Sequence, residues 1–281
     1  MPPLPVTVIV PVKNEEKNLP RCLCRLGRLA RVVVVDSGST DRTPDIAKEH
    51  GAEYVLFQWN GKFPKKRNWF LLNHPVTTPW VLFLDADEYI PESFIDELER
   101  TLPATTHVGF WIHYENHFMG RLLRHGSPMV KLALFRAGKG LYERIDEDSW
   151  SKLDMEVHEH PVLEGSIGML TATIEHNDYK GMHAYIARHN DYSSWEAARR
   201  IRLDSTPGAW NHFTPIQRSK YQGIDKWWTA PGYALYSIFW KRGLLDGIPG
   251  VCFGIMKGIY FFQIWLKIRE LRLARSSTAS R

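Results

Sequence analysis

The chain has 281 residues, 44% of them apolar and 24% charged, which fits one domain with a smaller appendage and excludes disordered, collagen-like and disulfide-scaffold classes. The formal charge of +5 is unevenly spread: residues 216–281 hold 11 basic against 3 acidic side chains, leaving a net −3 for residues 1–215. A mildly acidic body with a basic tail points to a soluble domain that leans on an anionic surface, either a membrane or a nucleic acid.

Residues 6–12 (VTVIVPV) are a β-branched run short enough for a buried strand. Asn14 with Glu15 and Glu16 then opens a helical stretch to about Leu29, the carboxylates suiting the positive end of the helix dipole. Residues 32–35 (VVVV) predict a second strand, and Ser39, Thr40 and Asp41 can cap a helix that runs to Glu49 and stops at Gly51. Strands follow at 53–57 and 80–84, the latter ending on Asp85. Apolar runs separated by helices favour a mainly parallel sheet covered on both faces, and such sheets bind ligands beyond their C-terminal strand ends. Past Pro91 the pattern predicts a helix to about Thr101, a strand at 108–114, a loop-rich basic stretch at 115–150, a strand at 168–175 and a helix from about Gly181 to Leu203. Pro207 and Gly208 mark a boundary, dividing the chain into a domain at 1–206 and an appendage at 207–281.

The tail is aromatic as well as basic: residues 227–265 contain 11 of the 35 Phe, Tyr and Trp. Residues 229–240 are too short to span a bilayer; 247–266 have the length but include Pro249, Lys257 and several glycines. Helices lying in the membrane interface are favoured over a span, with a helical pair packed on the protein's own core as the plainer alternative. Cys22, Cys24 and Cys252 are too few for a disulfide framework and match no zinc spacing, so a reducing, cytosolic setting is expected, and the N-terminal stretch does not read as a signal peptide.

Three acidic clusters sit where ligands would bind. Asp36-Ser-Gly-Ser-Thr-Asp41 follows the second strand, and Gly38 permits a tight turn there. Asp85-Ala-Asp87-Glu88 follows the fourth; alternation along a strand places Asp85 and Asp87 on one face roughly 7 Å apart, where two carboxylates call for a hard cation such as Mg²⁺ or Mn²⁺. A phospho-aspartyl phosphatase would carry Thr two residues after Asp87, and this chain has Tyr89. The third cluster, Asp154-Met-Glu156-Val-His158-Glu159-His160, offers a carboxylate able to take a proton from an attacking hydroxyl, and otherwise reads as a solvated turn.

Together these pieces resemble the family 2 glycosyltransferases of the GT-A fold. PVKNEEKNL (11–19), VVVVDSGSTD (32–41), KKRN (65–68) and LDADE (84–88) carry the superfamily resemblance. NHFMGRLLRH (116–125), VHE (157–159), TIEH (173–176) and RGLLDGIPG (242–250) are similar to bacterial lipopolysaccharide-core β-glucosyltransferases and exopolysaccharide transferases. The resemblance implies an α/β fold with a Rossmann-like, mainly parallel sheet flanked by helices and a helical membrane-associating appendage. It implies an inverting transfer of sugar from a nucleotide-diphosphate donor to a lipid-linked saccharide at the cytoplasmic membrane surface, with no nucleic acid involved. In that reading Pro11, Glu15 and Asp36 line the nucleotide pocket, and Lys65 and Arg67 face the donor's phosphates. Asp87, Asp85 and His176 hold a divalent ion, Mg²⁺ or Mn²⁺; Arg121 lies in a loop that closes over the donor, and Glu159 is the catalytic base. Ser37 stands where many members have a second Asp. A sugar nucleotidyltransferase is an alternative, disfavoured because the early loop is acidic rather than glycine-rich and basic. A non-catalytic membrane-binding module is another, but it leaves the acidic strand ends without a role.

Overall fold

The computed structural model describes residues 2–126, 128–145, 147–148, 150–151, 153–154, 160–211 and 213–279, with backbone alone at 216 and 277–279. The chain divides into two compact units, Met1–Gly120 with Pro128–Lys180, and Arg121–Ser127 with Gly181–Arg281.

In the first unit the elements follow as β1 (Leu4–Val12), α1 (Leu19–Leu23), β2 (Leu29–Asp36), α2 (Thr43–Glu49), β3 (Glu53–Leu56), α3 (Lys66–Asn73), β4 (Trp80–Phe83), β5 (Glu88–Tyr89), α4 (Glu92–Thr101) and β6 (Gly109–Phe118). After β7 (Arg121–Leu122), which falls in the second unit, come β8 (Met129–Arg136), β9 (Gly140–Tyr142), β10 (Pro161–Leu163) and β11 (Ile167–His176). The main sheet runs β3-β2-β1-β4-β8-β6-β11-β5, and β9 pairs with β10 separately. Its first four strands are parallel to one another; β8 is antiparallel to both β4 and β6.

Alternation along the strands sorts the apolar side chains into two cores, one per face. Val6, Val8, Val10 and Val12 of β1, with Val34 and Leu82, pack against Leu19 and Cys22 of α1, Ile46 and Ala47 of α2, and Phe94 and Leu98 of α4. On the other face Ile9, Val33, Val35, Val81 and Phe83 meet Phe70 of α3, with Phe135 and Tyr142. The α/β class expected from the sequence holds, with the parallel pairing concentrated in the N-terminal half.

Two local expectations change. The helix predicted from Asn14 to about Leu29 is confined to Leu19–Leu23, because Asn14 takes a left-handed φ of 55° and Glu15 begins a turn whose carbonyl accepts from Asn18 and Leu19. The loop-rich stretch at 115–150 contains β8, which occupies the middle of the sheet; its flanking Gly126 and Gly138, both at positive φ, mark strand ends rather than a long loop.

The second unit is helical: α5 (Gly181–Ser205), α6 (Pro215–Gly223), α7 (Thr229–Leu235), a π-helical turn Tyr236–Trp240, a 3₁₀ turn Gly243–Asp246 and α8 (Gly247–Ala279). Thr214 and Gln217 close a capping box at the start of α6. Ala197, Ile201, Tyr221, Ile224, Ile264 and Ile268 form the core, and Arg200 and Arg272 converge on Asp204 and Asp225 around it. The tail glycines have a packing reason. A Cβ at Gly250 would lie 2.0 Å from the Gly243 carbonyl oxygen, one at Gly254 2.6 Å from Ile238, and one at Gly258 2.9 Å from Ala234. Spaced four apart, they make the helix face on which α7 and the two turns lie.

Candidate active site

The C-terminal ends of the parallel strands meet along one edge of the first unit, with Val12 in register with Asp36 and Asp36 with Leu56. A cleft of about 470 Å³ opens there, lined by Lys13, Ser37, Gly38, Leu56, Phe57, Gln58, Trp59 and Asp154. Pro11 lies buried in β1, and Lys13, just past that strand's end, lines the cleft.

The turn beneath the cleft is braced from inside. Asp36 is fully buried; its carboxylate accepts from the Ser39 amide at 3.1 Å, the Ser39 hydroxyl at 2.6 Å and the Tyr54 hydroxyl at 2.9 Å. Burial, and then the hydrogen bond to Asp36 and its charge, push the Tyr54 hydroxyl up to about 12. A carboxylate so engaged shapes the turn, while the neighbouring Ser37 and Gly38 face the cleft. Asn14 ties this turn to the β1 end, accepting from the Thr40 amide at 2.8 Å while its own amide donates to the Ser39 hydroxyl at 2.7 Å. Glu15 sits below: its amide donates to Thr43 Oγ1, and its carboxylate pairs with Lys180 and accepts from Asn18. Burial raises its pKa, against the pull of Lys180.

The basic stretch divides its labour in a way the sequence does not reveal. Lys65 is buried against Glu147, and Lys66, also buried, donates to the Val12 carbonyl at 2.9 Å with Asp154 3.7 Å away. Arg67 reaches Asp85 Oδ1 at 3.0 Å. Asn68 exchanges two hydrogen bonds with the Tyr142 backbone, fixing α3 to β9.

The Asp85–Glu88 segment follows β4 and closes as a turn, the Asp85 amide donating to Glu88 Oε2 at 3.0 Å and the Glu88 amide to the Asp85 carbonyl at 2.9 Å. Because Glu88 in β5 pairs with His176 at the end of β11, the sheet brings Asp87 beside His176: Oδ2 and Nε2 are 3.4 Å apart. The imidazole's Nδ1–H donates to Asn116 Oδ1 at 2.9 Å, which directs Nε2 at Asp87. Burial lowers the His176 pKa, but the Asp87 carboxylate outweighs it and the net shift is upward. Burial likewise works to raise Asp85, yet Lys131 and Arg67 hold it well below the usual carboxylate range. Lys131, from β8, lies 2.7 Å from Asp85 Oδ2 and contacts Glu88. Burial pushes Glu88 up to about 7, with Asp85 and Asp87 adding to the rise and Lys131 opposing it.

Divalent ions of this class hold carboxylate and imidazole ligands at about 2.1 Å, which puts neighbouring ligand atoms of an octahedral ion about 3 Å apart. Asp87 and His176 therefore fit adjacent places on such an ion, with Asn116 as the outer partner that orients the imidazole. Among the described residues, no three His, Cys, Asp or Glu side chains converge as a ligand set. Glu159, expected as the base, and its neighbour His158 lie outside the described residues. Arg121 is exposed in β7, within the second unit.

Residues 7–155, just over half the chain, match the family described as Glycosyl transferase family 2. The chain belongs to that family. This glycosyltransferase is similar over 96% of its length, at 28% identity, to the lipopolysaccharide core biosynthesis glycosyltransferase LpsC of Rhizobium meliloti, covering 94% of that protein. It is 33% identical over 95% of its length to the uncharacterized glycosyltransferase RT0209 of Rickettsia typhi, covering 86% of it. Among solved structures, S. aureus TarS residues 1–349 overlay with a TM-score of 0.44 at 15% identity, over 94% of this chain and 91% of that one. The resemblance read from the motifs thus holds at the level of the family.

Lys66, Lys131, Asn116 and Glu88 stand in this candidate site although none of them stood out in the sequence with a role of its own. The two lysines and Asn116 lay inside quoted or loop-rich stretches with nothing to mark which partner each would meet. Glu88 stood inside the quoted acidic cluster without a role of its own, and only the pairing of β5 with β11 gives it a position.

Proposed function

We propose that this family 2 enzyme transfers a sugar, with inversion, from a nucleotide-diphosphate donor to a lipid-linked saccharide of the lipopolysaccharide or exopolysaccharide kind at the inner face of the cytoplasmic membrane. The observation that carries the reading is the strand-end edge of the first unit, where the cleft and the Asp85–Asp87–His176 cluster occupy neighbouring strand ends. In this arrangement Ser37, Gly38 and Trp59 receive the nucleoside, with Pro11, Glu15 and Asp36 shaping the turns around it. Arg67 presents positive charge to the diphosphate, while Lys65 and Lys66 hold the base of α3 in place. Asp87 and His176 would hold Mg²⁺ or Mn²⁺, with Asp85 beside them, and a bound ion would offset charge on the departing diphosphate. Glu159 takes the proton from the acceptor hydroxyl as it attacks the anomeric carbon.

The second unit supplies the membrane contact in this proposal. Leu235, Phe239, Trp240, Leu244, Leu245 and Ile248 are all more than half exposed, Trp240 and Ile248 above 70%, and Lys241 and Arg242 lie among them. An apolar, aromatic patch with adjacent cations suits the headgroup boundary of an anionic bilayer. The region Gly243–Ser276 is also long and apolar enough to cross a membrane by length and composition. The close packing of α7 on α8 through the glycine face supports the interfacial arrangement.

A panel of UDP-, GDP- and dTDP-sugars, scored by melting temperature without metal, with Mg²⁺ and with Mn²⁺, tests the donor reading. One nucleotide class should stabilise the protein only when the ion is present; no shift with any donor and either ion would overturn it. Glu159→Gln should bind that donor yet transfer no sugar.

A further inference from the structure

Of the three carboxylates within Asp85–Glu88, two meet one ammonium group. Lys131 Nζ is 2.7 Å from Asp85 Oδ2 and contacts Glu88 Oε1, while Arg67 takes the other Asp85 oxygen at 3.0 Å. Both oxygens of Asp85 therefore already face a cation, and the second Glu88 oxygen accepts from the Asp85 amide. Asp87, between them, faces His176 instead. Lys131 does not arrive by chance from a mobile surface. It stands on β8, paired with β6 at Ile112, and the same strand pairs with β4, whose end carries Asp85. Both Lys131 and Asp85 remain part-exposed, at 30% and 28%, so the ion pair borders solvent and any ligand at this edge would meet it.

We propose that Lys131 is the resident counter-cation of this site: it keeps Asp85 and Glu88 out of metal coordination and, with Arg67, is held by Asp85 as a preset positive charge toward an incoming diphosphate. A divalent ion is then left to Asp87 and His176. Lys131 acts as a positioning residue, since it works through the two carboxylates. The inference rests on the donor-and-ion reading above for its purpose, but its electrostatic content can be measured without any donor. Removing the ammonium leaves Asp85 and Glu88 crowded beside Asp87 with one fewer cation, and like charges so close are relieved by binding another.

The test uses the full chain and Mn²⁺ alone, with free ion followed by electron paramagnetic resonance. Lys131→Met should bind Mn²⁺ at least tenfold more tightly than wild type, Lys131→Arg should match wild type, and adding Asp85→Asn to Lys131→Met should remove the gain. A Lys131→Met protein with native circular dichroism and unchanged or weaker Mn²⁺ affinity would overturn the proposal. If that variant does not fold, Asp85→Asn alone decides: a change within threefold upholds the inference, and any larger loss, as expected of a direct ligand, overturns it. A gain of Mn²⁺ affinity in Lys131→Met, beside a wild-type protein that binds no nucleotide-sugar with or without Mn²⁺, would uphold the inference's account of the ion and defeat the donor reading.

Discussion

Alanine at Gly250 should unfasten the helix pair of the second unit, whereas the same change at Gly232 should strengthen it. Both glycines lie in helices, so alanine brings each the same intrinsic gain of about 1 kcal/mol. Nothing lies within 4 Å of a Cβ built at Gly232, and that gain is realised in full. At Gly250 the Cβ would meet the Gly243 carbonyl oxygen at 2.0 Å and Asp246 Cβ at 2.8 Å, where real contacts begin above 3.0 Å. The obstacle is backbone, so no rotamer change relieves it and the 3₁₀ turn itself must retreat by at least 1 Å. Overpacking of this kind costs about 1–3 kcal/mol, and an unyielding backbone contact belongs at the upper end. The net expectation is a loss of about 2 kcal/mol for Gly250→Ala, about 3 kcal/mol apart from Gly232→Ala. Hydrogen exchange of the α8 amides reads this locally, free of the first unit's unfolding, and should separate the two variants by roughly a hundredfold in rate. Equal protection in both would show that α7 and the 3₁₀ turn do not press on the glycine face.

Asp246→Ala should destabilise the second unit by about 2 kcal/mol, because its carboxylate accepts from the Arg124 and His125 amides and from His125 Nδ1; a denaturant midpoint unchanged from wild type would refute this. Burial opposes ionisation of Asp246, but these donors lower its pKa below the unfolded value, so its contribution is present above about pH 4 and is lost as pH falls through the folded pKa. Acid titration of wild type against Asp246→Ala should therefore show their stability gap closing as pH falls below about 4. Asn116→Leu should weaken Mn²⁺ binding by about 10–100-fold without unfolding the chain, as it frees the His176 ring to turn; isothermal titration would show otherwise if affinity were retained. Since Asp87 raises the His176 pKa over the opposing effect of burial, protons should compete with Mn²⁺ at a higher pH than for an ordinary histidine, and affinity that stayed flat from pH 8 to pH 6 would count against His176 as a ligand.

What could be read along the chain was whatever a single segment expresses by itself. The valines of β1 and β2 announce buried strands because both of their faces are covered, and Gly38 announces a turn because its φ is 74°. The acidic strand ends were legible for the same reason: a parallel strand that stops on Asp36, or shortly before Asp85, puts an acidic residue at the C-terminal edge of the sheet whatever its neighbours are, while the partner each carboxylate meets is set from elsewhere. The central strand β8 was not legible, since Lys131 interrupts its apolar run and glycines flank it.

Charge compensation depends on register between strands far apart in sequence. Asp85 and Lys131 meet only because β8 lies antiparallel beside β4, with Trp80 opposite Arg136 and Leu82 opposite Leu134; continuing that register past the end of β4 carries Asp85 toward position 131. The same logic joins Glu88 to His176 through β5 and β11. A paired-aspartate motif read as a string therefore overstates its own charge: of its carboxylates, Asp85 and Glu88 are met by Lys131 from across the sheet, and Asp87 is the one turned to an imidazole. For this edge of the molecule, the capacity to hold a cation follows from the pairing of strands more than from the count of acidic residues in the motif.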